Sequence, residues 1–221
     1  MQMSDIAQNI AAIKKRVADA CARAGRSPHE ITVIAVTKTQ TSPLVEAAYR
    51  AGMRHFGENR VQEAQGKLPG LSGMDATWHL IGHLQTNKAK SALALFDIIH
   101  SVDSIRLAQA ISKQADKVTS VLLQVNVARE ETKGGFSPEE LPQALRTVTE
   151  LPNIEVEGLM TIAPWLSDAQ QVRPFFKRLK QLRDELGLNH LSMGMTDDFE
   201  VAIEEGATMV RIGRAIFGER R

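Results

Sequence analysis

From residue 31 onward the chain repeats one pattern, a short apolar run followed by a longer amphipathic segment. The apolar runs fall at 32–36, 54–56, 78–81, 98–101, 121–126, 156–160, 190–192 and 209–212. Helical periodicity fills the gaps at 43–51, 59–66, 86–94, 104–117, 138–150, 168–186 and 197–205. Strands that alternate with helices pair in parallel and are joined by right-handed crossovers. About eight such units predict an α/β fold, a single (β/α)8 TIM barrel. A doubly wound open sheet is the alternative; its dinucleotide-binding form is disfavoured because no G-x-G-x-x-G follows the first strand. Ahead of the pattern, Ile6, Ile10, Ile13, Val17 and Cys21 recur at helical spacing. Ser4 or Asp5 can cap that segment and Gly25 can end it, so an extra helix over 4–24 precedes the barrel. No linker, repeat or low-complexity tract breaks the chain, and residues 1–221 read as one domain.

Composition matters here mainly for what it excludes. Hydrophobic residues are 43% of the 221 and charged residues 24%, enough for a large core and too ordered a mixture for a disordered chain. Basic and acidic residues nearly balance, 27 against 26, so neither nucleic acid nor membrane is expected as a partner. The single cysteine, Cys21, allows no internal disulfide. The opening M-Q-M-S-D-I-A-Q-N-I lacks the apolar centre of a signal peptide, and no apolar run approaches the roughly 18 residues of a membrane span. A cytoplasmic location is the expectation.

In a barrel the chemistry gathers at the C-terminal ends of the strands. The first strand, I-T-V-I-A-V-T-K, finishes on Lys38, a residue type seldom buried without a reason. Ser192-Met193-Gly194 follows the seventh apolar run and leads through Thr196 toward a helix; Arg211-Ile212-Gly213 closes the eighth. Loops seven and eight of this fold often hold phosphate, using exposed backbone N–H groups and a helix dipole. Glycines at 194 and 213 would let the backbone approach an anion closely; ordinary tight turns are the bland alternative. A lysine in the barrel mouth, partly desolvated, becomes a nucleophilic amine that forms Schiff bases with aldehydes. The other reading of Lys38 is an ammonium that reaches solvent. An aldehyde that also carries phosphate would satisfy both ends of the mouth, and pyridoxal 5′-phosphate is such a molecule.

The chain resembles the pyridoxal phosphate homeostasis protein family, whose single barrel is similar to the barrel domain of alanine racemase. The matching stretches are A-V-T-K (35–38), H-F-G-E-N-R-V-Q-E (55–63), W-H-L-I-G-H-L-Q-T-N-K (78–88), H-S-V-D (100–103), G-L-M-T-I (158–162), L-S-M-G-M-T-D-D-F (191–199) and V-R-I-G-R-A-I-F-G (210–218). The resemblance implies that Lys38 carries pyridoxal 5′-phosphate as a Schiff base. It implies too that Ser192, Gly194, Arg211 and Gly213 surround the phosphate and ring, with Asn59 lining the pocket. The arginine of a similar R-x-G motif in the racemases faces the pyridine nitrogen, which weakens the cofactor as an electron sink. Lys133, in E-T-K-G-G, matches a family position linked to cofactor exchange; a solvated loop lysine is the equal alternative.

An amino-acid racemase also needs an acid–base group near the substrate. The racemases draw a tyrosine from a second domain of the partner subunit, whereas here Phe217 is followed by Gly218, Glu219, Arg220 and Arg221 alone. Tyr49 falls in the first crossover helix and Cys21 on the N-terminal apolar stripe. His79 and His83 have metal-pair spacing, but on a strand with Gly82 between them and without a third ligand, so no metal site is expected. His83 reads as a hydrogen-bonding or pocket residue, and Glu58 and Asp103 as helix caps or ion-pair partners. The favoured expectation is therefore a monomeric carrier that stores, protects or delivers the cofactor, with pyridoxal phosphate-dependent apoenzymes as recipients. A weak pyridoxal phosphate-dependent amino-acid racemase and a cofactor-free Schiff-base aldolase are the alternatives.

Overall fold

In the computed structural model, which describes residues 3–130, 132–166 and 168–218, eight parallel strands close into a barrel in sequence order. Helix α1 (Met3–Arg23) comes first. The barrel units follow as β1 (Thr32–Val36) and α2 (Ser42–Arg50), β2 (His55–Glu58) and α3 (Val61–Lys67), β3 (Thr77–Leu80) and α4 (Ala89–Leu93), β4 (Ile98–Val102) and α5 (Ile105–Gln114). The second half runs β5 (Thr119–Gln124) and α6 (Leu141–Thr149), β6 (Ile154–Met160) and α7 (Arg173–Glu185), β7 (His190–Met195) and α8 (Phe199–Glu204), β8 (Met209–Ile212) and α9 (Arg214–Phe217). The open-sheet alternative fails because β1 pairs with β8, from Thr32 opposite Met209 to Ala35 opposite Ile212.

Two apolar layers hold this together. The larger lies between strands and helices and includes Phe56, Leu107, Phe176 and Phe199, all buried. A smaller one, Ile34, Leu122, Met160 and Met209, fills the barrel itself. Helix α1 lays its expected stripe, Ile6 to Cys21, on the outer layer. Polar contacts fix it there: Arg16 grips the Glu200 carboxylate with two 2.8 Å bonds, and Asn9 donates to the Ile216 carbonyl at 3.0 Å.

Several boundaries differ from the sequence reading. Helices α6 and α7 begin later than residues 138 and 168, because Pro142 and Pro174 sit in their first turns. A longer helix would push either ring into the carbonyl four residues back. Strand β5 stops at Gln124, and Asn126 instead ties the following turn by donating to the Glu130 and Lys133 carbonyls. Strand β7 runs through Met195, so Ser192 and Gly194 belong to the strand and not to a loop after it.

Candidate functional site

Lys38 sits in a tight turn just beyond β1, closed by a 2.9 Å bond from the Gln40 N–H to the Thr37 carbonyl. Thr39 has φ of 63°, a conformation that strains a β-branched residue. Its N–H is held by the Glu63 carboxylate. The rest of the anchor is an ion cluster built on the buried Glu58. Lys67 Nζ donates to the Thr37 carbonyl at 2.8 Å, to Glu58 Oε1 at 2.7 Å and to Glu63 Oε1 at 3.0 Å. Thr37 Oγ1 also donates to Glu58 Oε1 at 2.7 Å. Burial pushes the Glu58 carboxyl up, opposed by Lys67 and Thr37. Glu58 is thus the ion-pair partner that its position suggested. Lys67 and Glu63 were missed, since nothing in the spacing of residues 37, 58, 63 and 67 shows that they converge.

Half-buried Lys38 faces a cavity of about 500 Å³ at the C-terminal mouth of the barrel. Asn59, Arg211 and Gly213 line the same space, with Trp165 and Met195 at its rim. The volume lies in the range of small-molecule sites. Asn59 Oδ1 is buried without a hydrogen-bond partner, an acceptor that a bound donor would satisfy. Gly82 makes room for this corner: a Cβ there would stand 2.3 Å from the Asn59 carbonyl oxygen. Gly213 is different. Its φ is −110°, and a Cβ would meet Val36 at an ordinary 3.5 Å, so the fold itself does not require glycine at this point of the lining.

Arg211 brings a positive charge to the inner wall. Its guanidinium donates to Ser192 Oγ at 2.6 Å and to the Thr161 carbonyl at 2.8 Å. Burial lowers its pKa to about 10, opposed by Asp198, which leaves it charged at neutral pH. Burial raises the Asp198 carboxyl, while the Met195 N–H holds its Oδ1 at 2.6 Å.

The six candidate cofactor residues therefore divide. Lys38, Asn59, Arg211 and Gly213 share the cavity. Ser192 is fully buried behind Arg211, its hydroxyl committed to that residue and to His100. Gly194 has φ of 90°, and a Cβ there would lie 2.5 Å from that of Ala202, so it lets α8 pack onto β7. Lys133 is tied down rather than solvated: it donates to Glu130 at 2.7 Å and to the Ala163 carbonyl at 3.1 Å. It lines a neighbouring cavity that shares Trp165 and Met195 with the first. His79 and His83 diverge, the first inside the barrel and the second exposed and 3.1 Å from Asp103.

The family model for the alanine racemase N-terminal domain matches residues 4–221, which makes this a barrel of the alanine racemase type, with Lys38, Arg211 and Gly213 around one cavity at its mouth. Among solved structures, alanine racemase from Corynebacterium glutamicum shares the fold, with a TM-score of 0.74 at 18% identity over 99% of this chain and 61% of that one. The chain belongs to the pyridoxal phosphate homeostasis protein family. It is 47% identical to the protein of that name from Aquifex aeolicus, over 97% of this chain and 98% of the relative, and 44% identical to that from Pseudomonas aeruginosa, over 99% and 97%. PipY of Synechococcus elongatus, solved with PLP bound, superimposes with a TM-score of 0.83 at 36% identity, over 96% of this chain and all of that one.

Proposed function

We propose that this protein binds pyridoxal 5′-phosphate through a Schiff base on Lys38 and serves intracellular pyridoxal phosphate homeostasis, holding the cofactor and delivering it to apoenzymes without robust catalysis of its own. One observation carries the reading: closure of β1 on β8 sets Lys38, Arg211 and Gly213 around one cavity. When bound, the cofactor would supply an aldehyde carbon, and Lys38 would hold it through its amine.

The chain's own groups have separate tasks. The cluster of Glu58, Glu63 and Lys67 fixes the backbone on both sides of Lys38, so the amine is presented from a rigid turn. Arg211 is donor-only and stays charged, which suits an acceptor such as a pyridine nitrogen and opposes ring protonation. The Gly213 turn and Thr196 line the same cavity and would receive the phosphate oxygens. Asn59 offers its unsatisfied oxygen to a donor. Ser192 and Gly194 act one step back, through Arg211 and the packing of α8. Lys133 lines the adjoining cavity, which supports a part for it in cofactor exchange.

The carrier reading is favoured over a racemase by where the spare acid–base groups lie. The Tyr49 hydroxyl accepts from the Asp75 N–H at 3.3 Å and its ring stacks under Arg54, outside the cavity. Cys21 is buried in α1, and burial raises its thiol pKa. No helix among the described residues is long and apolar enough to cross a membrane; a cytoplasmic monomer is the proposed working form.

Visible absorption spectra of the protein and of Lys38→Ala, before and after borohydride, test the proposal. A yellow protein whose chromophore becomes fixed at Lys38 on reduction, and is lost in the variant, is expected. A protein that stays colourless with added pyridoxal phosphate refutes it and favours the aldolase; turnover of an amino acid favours the racemase.

A further inference from the structure

Barrel interiors are normally filled with bulky apolar side chains. Here a polar seam crosses that layer. His55 Nδ1 lies 3.0 Å from His79 Nε2, His79 Nδ1 lies 2.9 Å from His100 Nε2, and His100 Nδ1 lies 2.9 Å from Ser192 Oγ. Ser192 Oγ in turn accepts from Arg211 at 2.6 Å. His79, His100 and Ser192 are fully buried, while His55 is half-buried at the start of β2. Neither His79 nor His100 lines the cavity.

Hydrogen-bond chemistry gives this chain one direction. Arginine can only donate, so Ser192 Oγ accepts from it. If His100 also donated to Ser192, the hydroxyl hydrogen would be left without either neighbour as an acceptor, in a site closed to water. A buried polar group stranded in that way costs about 1–3 kcal/mol. The hydroxyl therefore donates to His100 Nδ1. His100 must then carry its hydrogen on Nε2 and donate to His79 Nδ1, and His79 must do the same toward His55 Nδ1.

All the acceptor ends in this arrangement point toward Arg211. A buried guanidinium is costly unless dipoles or charges compensate it. Asp198 favours the charge, and His190 is the remaining titratable group that acts on His100. Burial keeps His79 and His100 neutral, which the chain requires, since a charged ring has no acceptor nitrogen. We propose that His55, His79 and His100, acting through Ser192, form a one-way hydrogen-bond relay that holds charged Arg211 in position at the cavity. They are positioning residues. Their bearing on a ligand rests on the proposal that pyridoxal phosphate occupies that cavity.

Long-range 1H–15N correlation spectra of histidine-labelled, cofactor-free protein at neutral pH read the tautomers directly. Neutral rings with the hydrogen on Nε2 are expected at all three positions. A hydrogen on Nδ1 of His79 or His100, or a charged ring at either, overturns the relay. Coupling to the cavity is read in His79→Leu, three hydrogen bonds away from Arg211, by titration with pyridoxal phosphate. Affinity is expected to fall about tenfold, which corresponds to about 1.4 kcal/mol, with a shift in the visible band of the loaded protein. A folded variant with unchanged affinity and band overturns the proposal. If that variant does not fold, the tautomers of the unsubstituted protein still decide. Unsubstituted protein that shows the expected tautomers but takes up no pyridoxal phosphate supports the relay and refutes the functional reading alone.

Discussion

Lys67→Met would strand the Glu58 carboxylate, removing the ammonium 2.7 Å away while leaving the Thr37 hydroxyl. The Glu58 side chain is fully enclosed and that of Lys67 is 9% exposed, so solvent screens the pair little. Breaking such a pair from one side costs about 3–5 kcal/mol. Burial already holds the Glu58 carboxyl above its ordinary 4.5, and loss of Lys67 removes a force opposing that rise. An acid whose folded pKa exceeds its unfolded one weakens the fold as pH climbs past the unfolded value, because the unfolded chain ionises freely and the folded chain resists. The deficit of the variant is therefore smallest near pH 4 and larger at pH 7.5. At this chain length each kcal/mol moves the melting temperature by about 2–4 °C, so a fall of roughly 10 °C is expected at pH 7.5. A second substitution, Glu58→Gln, should recover most of it. Melts followed by circular dichroism at both pH values, each against the parent protein, provide the test. An equal deficit at both pH values, or one that Glu58→Gln leaves untouched, would refute the coupled pair.

Gly194→Ala should destabilise by more than about 2 kcal/mol in urea unfolding, since left-handed backbone strain adds to a 2.5 Å clash with Ala202. Acid should weaken the fold through the seam: burial lowers His79 to about 3 and also lowers His55 and His100. Their contribution is complete above the unfolded value of 6.5 and falls as pH drops toward the folded one, by about 1.4 kcal/mol per pH unit for each histidine titrating. Stability measured from pH 7 to 4 should show that slope flatten in His79→Leu. Trp165 is 90% exposed at the cavity rim, and the other tryptophan, Trp78, is buried against Phe56. Pyridoxal phosphate should therefore quench mainly the Trp165 emission, an effect that Trp165→Phe removes while stability changes by less than about 0.5 kcal/mol.

Legibility in the sequence followed the range of the interactions involved. Strands β1 and β8 fall on the residues that their apolar runs mark, and α1 presents its marked stripe, because period and burial are local signals. Lys38 could be singled out for the same reason, as a charge ending an apolar run. The starts of α6 and α7 were also locally encoded, in Pro142 and Pro174, but helical periodicity extends past both and hides them. The β7 extension is another matter. Gly194 reads as a turn until α8 is seen packed against it, which only the tertiary structure shows. The histidine seam left a fainter trace, a lone histidine within each of H-F-G-E, T-W-H-L and I-I-H-S. What joins them is the pairing of His79 with Gly57 and with Ile98 across neighbouring strands, and register between strands is not written in any one of them.

The pairing of β1 with β8 also bears on how the protein folds. Lys38 and the Arg211–Gly213 corner lie near opposite ends of the chain, and they meet only when the ring of strands shuts. Contacts of such long sequence separation carry the largest loop-closure entropy and form late. A chain still emerging from synthesis holds its lysine turn long before it has the β8 wall. Cofactor capture would thus coincide with completion of the barrel, and a ligand that joins both ends acts as a clasp on the fold's slowest seam.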